Sequence, residues 1–270
     1  MRFWLLGALL CALSACGPSA TTQDDEVSQL PIVTFDGAQV SEASARISHG
    51  ERLTYVLGCR GCHGKDLRGE RFYELYASNL TRDLANYNDS QLETLLRNGV
   101  HPTGRDVWAM PSELFQHLSK PDMVALVAYL RTLKPTGGPT GKPLPFEPET
   151  KKMIAAGKFK PAAAFVRESR TVGPVGLGMP HELGRYITRV TCAECHGAKL
   201  EGGDGTPNLI VAGAYSREEF EKLVTLGVPI GRRKLHPLMV GVAKSRFSHL
   251  TPHERDALYA YLKARAAQPQ

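Results

Sequence analysis

Two strings, "CRGCHGKDLRGE" from Cys59 and "CAECHGAKLEGG" from Cys192, restrict this chain more than any other feature. Each reads Cys-x-x-Cys-His-Gly, followed by Leu-x-Gly. Their surroundings repeat in the same order. "YNDSQLETLLRNGV" (Tyr87 to Val100) answers "YSREEFEKLVTLGV" (Tyr215 to Val228), and "LSKPDMVALVAYL" (Leu118 to Leu130) answers "LTPHERDALYAYL" (Leu250 to Leu262). The chain, 270 residues long, therefore reads as two copies of one small domain with loops of different length.

Each copy reads as helical. Ser216-x-x-Glu219 is a capping box ahead of Phe220, Leu223 and Val224 on one helical face, and Gly227 ends the helix. In the first copy Asn88 or Asp89 caps, Leu92, Leu95 and Leu96 face inward, and Gly99 stops the helix. The last helices start at Ser119 and Thr251, the second with proline at its first helical position. A third helix precedes each cysteine pair, around His49 to Leu57 and Glu182 to Val190. No stretch alternates like a sheet strand, so the expected fold class is all-α.

Outside the copies the chain divides plainly. "MRFWLLGALLCALSAC" has a basic Arg2 and an apolar run, Phe3 to Leu13, too short for the ~20 residues of a stable membrane span. Residues 1–15 read as a secretory signal. "LSAC" resembles the lipobox of bacterial lipoproteins, which implies lipidation of Cys16 and anchoring by two or more acyl chains. Residues 16–46 read as a flexible tether, although its "LPIVTF" is apolar enough to pack on a folded body. Between the copies, residues 135–180 form a Pro/Gly-rich linker, too long to lack all structure, with "KKMIAAGK" as a helical turn. Export removes Arg2 alone among the charged residues, so the mature chain stays one unit below the full chain's +6. This bias favours acidic partner surfaces. No basic run interleaved with aromatics points to nucleic acid, and no GxSxG or Walker-type string points to a hydrolase or nucleotide site.

Four of the six cysteines lie in the repeated strings. In an oxidising compartment such pairs would close as disulfides unless something else claimed the sulfurs. On a helical turn, positions i, i+3 and i+4 share a face, so two sulfurs can add to the two vinyl groups of a porphyrin while the histidine faces its iron. Cys-x-x-Cys-His is the attachment signature of c-type haem. The competing readings are a thioredoxin-like redox pair, a zinc site of Cys59, Cys62, Cys192 and Cys195, and two local disulfides.

Both halves resemble class I cytochrome c domains, as found in dihaem cytochromes c of bacterial respiratory chains. The resemblance covers residues 47–134 and 181–265 and implies helices wrapped around two covalently bound haem c groups. It makes Cys59 and Cys62 the thioether cysteines and His63 the proximal ligand of the first haem, and Cys192, Cys195 and His196 those of the second. A methionine in the loop before the last helix is the usual sixth ligand, which points to Met110 in "VWAMPSELF" and Met239 in "RRKLHPLMVGV". His101, His236 and His249 are alternatives, whereas Met123, Met153 and Met179 are not expected to bind iron. Asn79-Leu80 and Asn208-Leu209 occupy matching places that fit packing over the porphyrin, and Arg68 and Arg71 read as solvated arginines, with approach to a propionate as the alternative. The implied function is single-electron transfer between redox proteins on the periplasmic side of a bacterial membrane, as a free carrier or as the electron-accepting subunit of a dehydrogenase or oxidase. With two saturated irons there is no catalytic residue. The alternative is a peroxidase-like dihaem enzyme with one open iron.

Overall fold

Each copy is framed by its first and last helices, which cross at a glycine. The computed structural model describes residues 32–203 and 205–269, so the expected signal, Cys16 and most of the tether lie outside the described residues. In the first copy α1 (Ala43–Val56) leads through left-handed Gly58 into a single turn, α2 (Cys59–Cys62). A hairpin follows (β1 Glu70–Phe72, β2 Leu75–Ala77), then α3 (Leu80–Asp83), α4 (Asp89–Asn98), α5 (Ser112–Phe115) and α6 (Lys120–Leu130). The connector holds α7 (Pro148–Ala155) and α8 (Ala162–Ser169). The second copy has α9 (Glu182–Ile187), a π-helical turn Thr188–Cys192, α10 (Ala193–His196), a 3-10 segment Leu209–Ala214, α11 (Arg217–Leu226), α12 (Pro237–Ser245) and α13 (Pro252–Ala266). The all-α class stands, with one small antiparallel hairpin that pattern reading missed because each strand is only three residues long.

Local signals set the helix limits. Asn88 and Gln91 form a capping box on α4, as Ser216 and Glu219 do on α11, and Gly99 and Gly227 end these helices in the left-handed conformation. Leu92, Leu96, Phe220 and Val224 are buried on the inward faces. Thr251 and Glu254 box the start of α13 behind Pro252. At the crossings no side chain fits. A Cβ on Gly50 would stand 1.9 Å from the Ala125 carbonyl oxygen of α6, and one on Gly184 would stand 2.1 Å from that of Ala257 on α13.

The copies are joined reciprocally, as across a two-fold axis. Arg52, two residues after Gly50, reaches Glu254 of the second copy at 2.7 Å. Tyr186, two residues after Gly184, donates to Asp122 of the first copy at 2.7 Å. Asp122 and Glu254 hold matching places in α6 and α13, and both are fully buried. Two consecutive backbone amides bind this pair: Phe35 donates to Asp122 at 3.1 Å and Asp36 to Glu254 at 2.8 Å. Phe35 itself is fully buried against Tyr186. Residues 33–38 thus form a strap on the folded body, and the segment expected as free tether ends earlier than residue 46.

The connector packs as well. Ala162 and Val166 of α8 are buried against the first copy, the Ala162 amide donates to the Val107 carbonyl, and Gln116 bonds the Val166 carbonyl and Ser169. Trp108, Phe146 and Phe159 form an aromatic cluster over the first copy's open side. Alanine is a strong helix former, and Ala162 and Val166, four residues apart, share the buried face of α8.

Candidate functional site

The Leu-x-Gly that follows each string has a backbone purpose. Leu67 and Leu200 both adopt the left-handed region (φ 59° and 63°), an uncommon state for a residue with a Cβ. Both leucines are fully buried, which holds them there. Gly69 and Gly202 then return their amides to the carbonyls of His63 and His196 at 2.8 and 2.9 Å. A Cβ on Gly69 would stand 2.7 Å from the Ala77 carbonyl oxygen, and one on Gly202 would stand 2.3 Å from that of Thr206. This loop folds the following segment back over each histidine.

The return segment fixes each imidazole. His63 Nδ1 lies 2.9 Å from the Ser78 carbonyl oxygen, and His196 Nδ1 lies 2.8 Å from that of Pro207. A carbonyl only accepts, so Nδ1 carries the proton in both rings and Nε2 is left as a free lone pair. Burial lowers the pKa of both histidines, which keeps them neutral, the form that binds a metal. Asn79 and Asn208 follow directly and cap the next turns, through the Thr81 and Ile210 amides. They fix the turn that follows the carbonyl holding each histidine, and Leu80, next to Asn79, lines the cavity of the first copy.

Cys59, Cys62, His63 and Met110 line one cavity of about 690 Å³, with Leu80 and Leu126 among its apolar walls. The connector closes it with Leu144 and Phe146. No disulfide joins the four string cysteines. Burial pushes Cys59 and Cys192 up to about 11, the opposite of the depressed thiol of a redox-active pair. Among the described residues no group of three or more His, Cys, Asp or Glu gathers as a metal site, which removes the four-cysteine zinc arrangement. A planar, mostly apolar group with two thiol-reactive arms and a metal fits this donor set: two sulfurs, one free Nε2 and a thioether in an apolar slot.

A family model described as cytochrome c matches residues 182–266. Over 92 residues the chain is 33% identical to cytochrome c-551 of Bacillus subtilis (strain 168), covering 34% of this chain and 67% of that protein. The chain belongs to the cytochrome c family. It is also 29% identical over 117 residues to the subunit CcoP of a cbb3-type cytochrome c oxidase from Helicobacter pylori (strain 52), covering 41% of this chain. There it spans only 38% of the relative's length. A c-type cytochrome carries electrons on covalently held haem c, and the family match lies on the second copy.

Among the alternative ligands of this cytochrome, His101 has both ring nitrogens engaged, Nε2 with the Tyr87 hydroxyl and Nδ1 with Thr103. His249 stacks on Tyr55 across the two copies, 4.1 Å between ring centres. His236 caps α12 by accepting from the Leu238 amide. Met110 stands just before α5, as expected. Met239 instead lies inside α12, two residues past its first, and packs partly buried against the core. Arg68 pairs with Asp66 and Arg71 with the Tyr73 carbonyl, both exposed, so neither reaches the cavity; Arg105 lines it. Sequence reading missed Arg105, since a lone arginine in a Gly/Pro loop carries no signal.

Glu113 of α5 is the one strongly displaced carboxyl near the first cavity. Burial raises it to about 7, the Glu194 charge adds to this, and its Oε2 has no hydrogen-bond partner among the described residues. The folded state therefore keeps a proton that the unfolded chain releases near 4.5, and stability falls as pH rises from about 4.5 to 7. Glu113→Gln removes this slope. Urea denaturation should show the variant equal to wild type at pH 4 and more stable by about 2–3 kcal/mol at pH 8. Parallel pH profiles would show that Glu113 titrates normally.

Proposed function

We propose that this cytochrome holds two haem c groups, one per copy, and passes single electrons between redox proteins on the outer face of a bacterial cytoplasmic membrane or beyond it, anchored by lipid on Cys16. The observation that carries the second haem is the duplicated hydrogen-bond pattern: in both copies the histidine ring meets a returning carbonyl, the Leu-x-Gly loop turns left-handed, and an asparagine caps the next turn. Cys59, Cys62, His63 and Met110, which line one cavity, would hold the first haem. Cys192, Cys195, His196 and Met239 would hold the second.

When bound, each haem supplies a one-electron Fe(III)/Fe(II) couple. The chain tunes it in two ways. Thioether ligation favours Fe(II), and the buried, apolar wall formed by residues such as Leu126 disfavours the extra charge of Fe(III). One relative is an oxidase subunit, which supports a respiratory oxidase or dehydrogenase as partner. Among the described residues no helix is long and apolar enough to cross a membrane.

Intact mass of the mature protein, expressed with haem-attachment machinery, tests the reading. Wild type should carry two haems and an acylated N-terminus. Cys59→Ala with Cys62→Ala should carry one, and so should Cys192→Ala with Cys195→Ala. A single haem in wild type defeats the proposal. Cyanide or carbon monoxide binding to the resting protein would turn it toward the peroxidase-like alternative.

A further inference from the structure

The reciprocal joint brings the two attachment strings together at one ion pair. Arg246, which follows α12, crosses to the first copy, where its Nε donates to the Val56 carbonyl at 3.1 Å. Its guanidinium lies over Gly58, where a Cβ would stand 2.8 Å from Cζ. Gly58 immediately precedes Cys59. Its Nη1 turns back and binds Glu194 at 2.7 Å. Glu194 sits between Cys192 and Cys195, and it also lines the first cavity beside Cys59 and Cys62. Both charges therefore stand next to both strings. The Arg246 side chain is 12% exposed, so solvent screens it little. The Arg246 Nη2 is buried with no hydrogen-bond partner among the described residues.

We propose that Arg246 and Glu194 form one charge bridge shared by both haem sites, a positioning pair that sets both reduction potentials together. This rests on the two-haem reading above. Each site loses one positive charge when it accepts an electron. A cation between the sites favours the reduced form at both, and an anion there favours the oxidised form at both. One pair moves both potentials in the same direction, so it sets their level while largely preserving the difference between them.

The test is a spectroelectrochemical titration of the holoprotein, with haem count fixed by intact mass in the same samples. Arg246→Gln should lower both midpoints and Glu194→Gln should raise both. Each variant should change the Fe(II)/Fe(III) ratio at a set potential by about tenfold, the effect of a unit charge within ~10 Å at an effective dielectric near 20. Arg246→Lys keeps the charge and should leave both midpoints in place. Opposite signs from the two variants are the decisive result, because loss of a merely structural bridge would move the midpoints the same way. Movement of one midpoint only, or the same sign from both variants, overturns the bridge while leaving a two-haem count intact. One haem by mass overturns the parent reading instead.

Discussion

Gly184→Ala and Gly50→Ala will each leave little folded cytochrome. The added methyl of Gly184→Ala meets the Ala257 carbonyl oxygen at 2.1 Å and the Tyr261 Cβ at 2.5 Å. That of Gly50→Ala meets the Ala125 carbonyl oxygen at 1.9 Å and the Tyr129 Cβ at 2.8 Å. These neighbours are helix backbone and the root of a buried tyrosine, so no flexible side chain can swing away. Relief requires α9 to lift from α13, or α1 from α6, by more than an ångström along the main contact of the copy. Inserting a single methylene into a packed core typically costs about 1–3 kcal/mol. A clash with backbone on both sides should cost about 3–5 kcal/mol, a large share of the ~5–15 kcal/mol that holds a domain folded. Thermal unfolding followed by circular dichroism should show a midpoint about 10 °C lower, or no soluble protein. Because α9 runs through the Thr188–Cys192 turn into its cysteine string, the Gly184 variant should also carry less haem in its second copy. An unchanged midpoint in either variant would mean that the helices are not held at this separation.

What could be read from sequence was what local chemistry decides. The caps at Asn88, Ser216 and Thr251 and the stops at Gly99 and Gly227 need only neighbouring residues, and they stand where pattern reading put them. The repeat itself was legible because its blocks recur in order. Glycines 50 and 184 were not singled out, since a glycine inside a helical run says nothing about which backbone will approach it. The strap is legible in part: the apolar "LPIVTF" marks a segment able to pack, but Phe35 and Asp36 also act through their amides, and no side-chain pattern announces an amide's partner. Arg246 looked like any surface arginine, because its partners lie 52 residues away at Glu194 and 190 away at Val56. Both methionines proposed as ligands come from the family resemblance: Met110 stands in the stretch between Gly99 and Ser119 where it is expected, while Met239, expected in a loop, stands in α12, started by Pro237 and capped by His236.

The joint between the copies should respond most to its two buried carboxylates. Asp122 accepts from the Phe35 amide, from His49 Nε2 at 2.8 Å, from the Ser119 hydroxyl at 2.7 Å and from the Tyr186 hydroxyl. Burial, with the Asp122 charge beside it, raises Tyr186 well above its ordinary value, so this phenol remains a donor across the accessible pH range. Asp122→Ala leaves these donors facing a void. Removing one member of a buried charged network costs about 3–5 kcal/mol, mainly through the groups left unpaired. Glu254→Ala should cost as much, since it strands Arg52, the Asp36 amide and the Thr251 amide. Tyr186→Phe removes one bond to a charged acceptor and should cost about 1.5–3 kcal/mol. The two carboxylates share the strap, so their effects should couple. Asp122→Ala releases the Phe35 amide, whereas Asp36 keeps Arg52, Thr251 and His253 as partners. The coupling therefore runs only through the peptide that joins the two residues, and the double variant should fall short of the sum by about 0.5–1 kcal/mol. Calorimetry should show one transition in wild type and a broadened or split one in either variant, because the strap no longer ties the halves into one cooperative unit. Additive losses with a single sharp transition would show that the strap lies on the two copies without joining them.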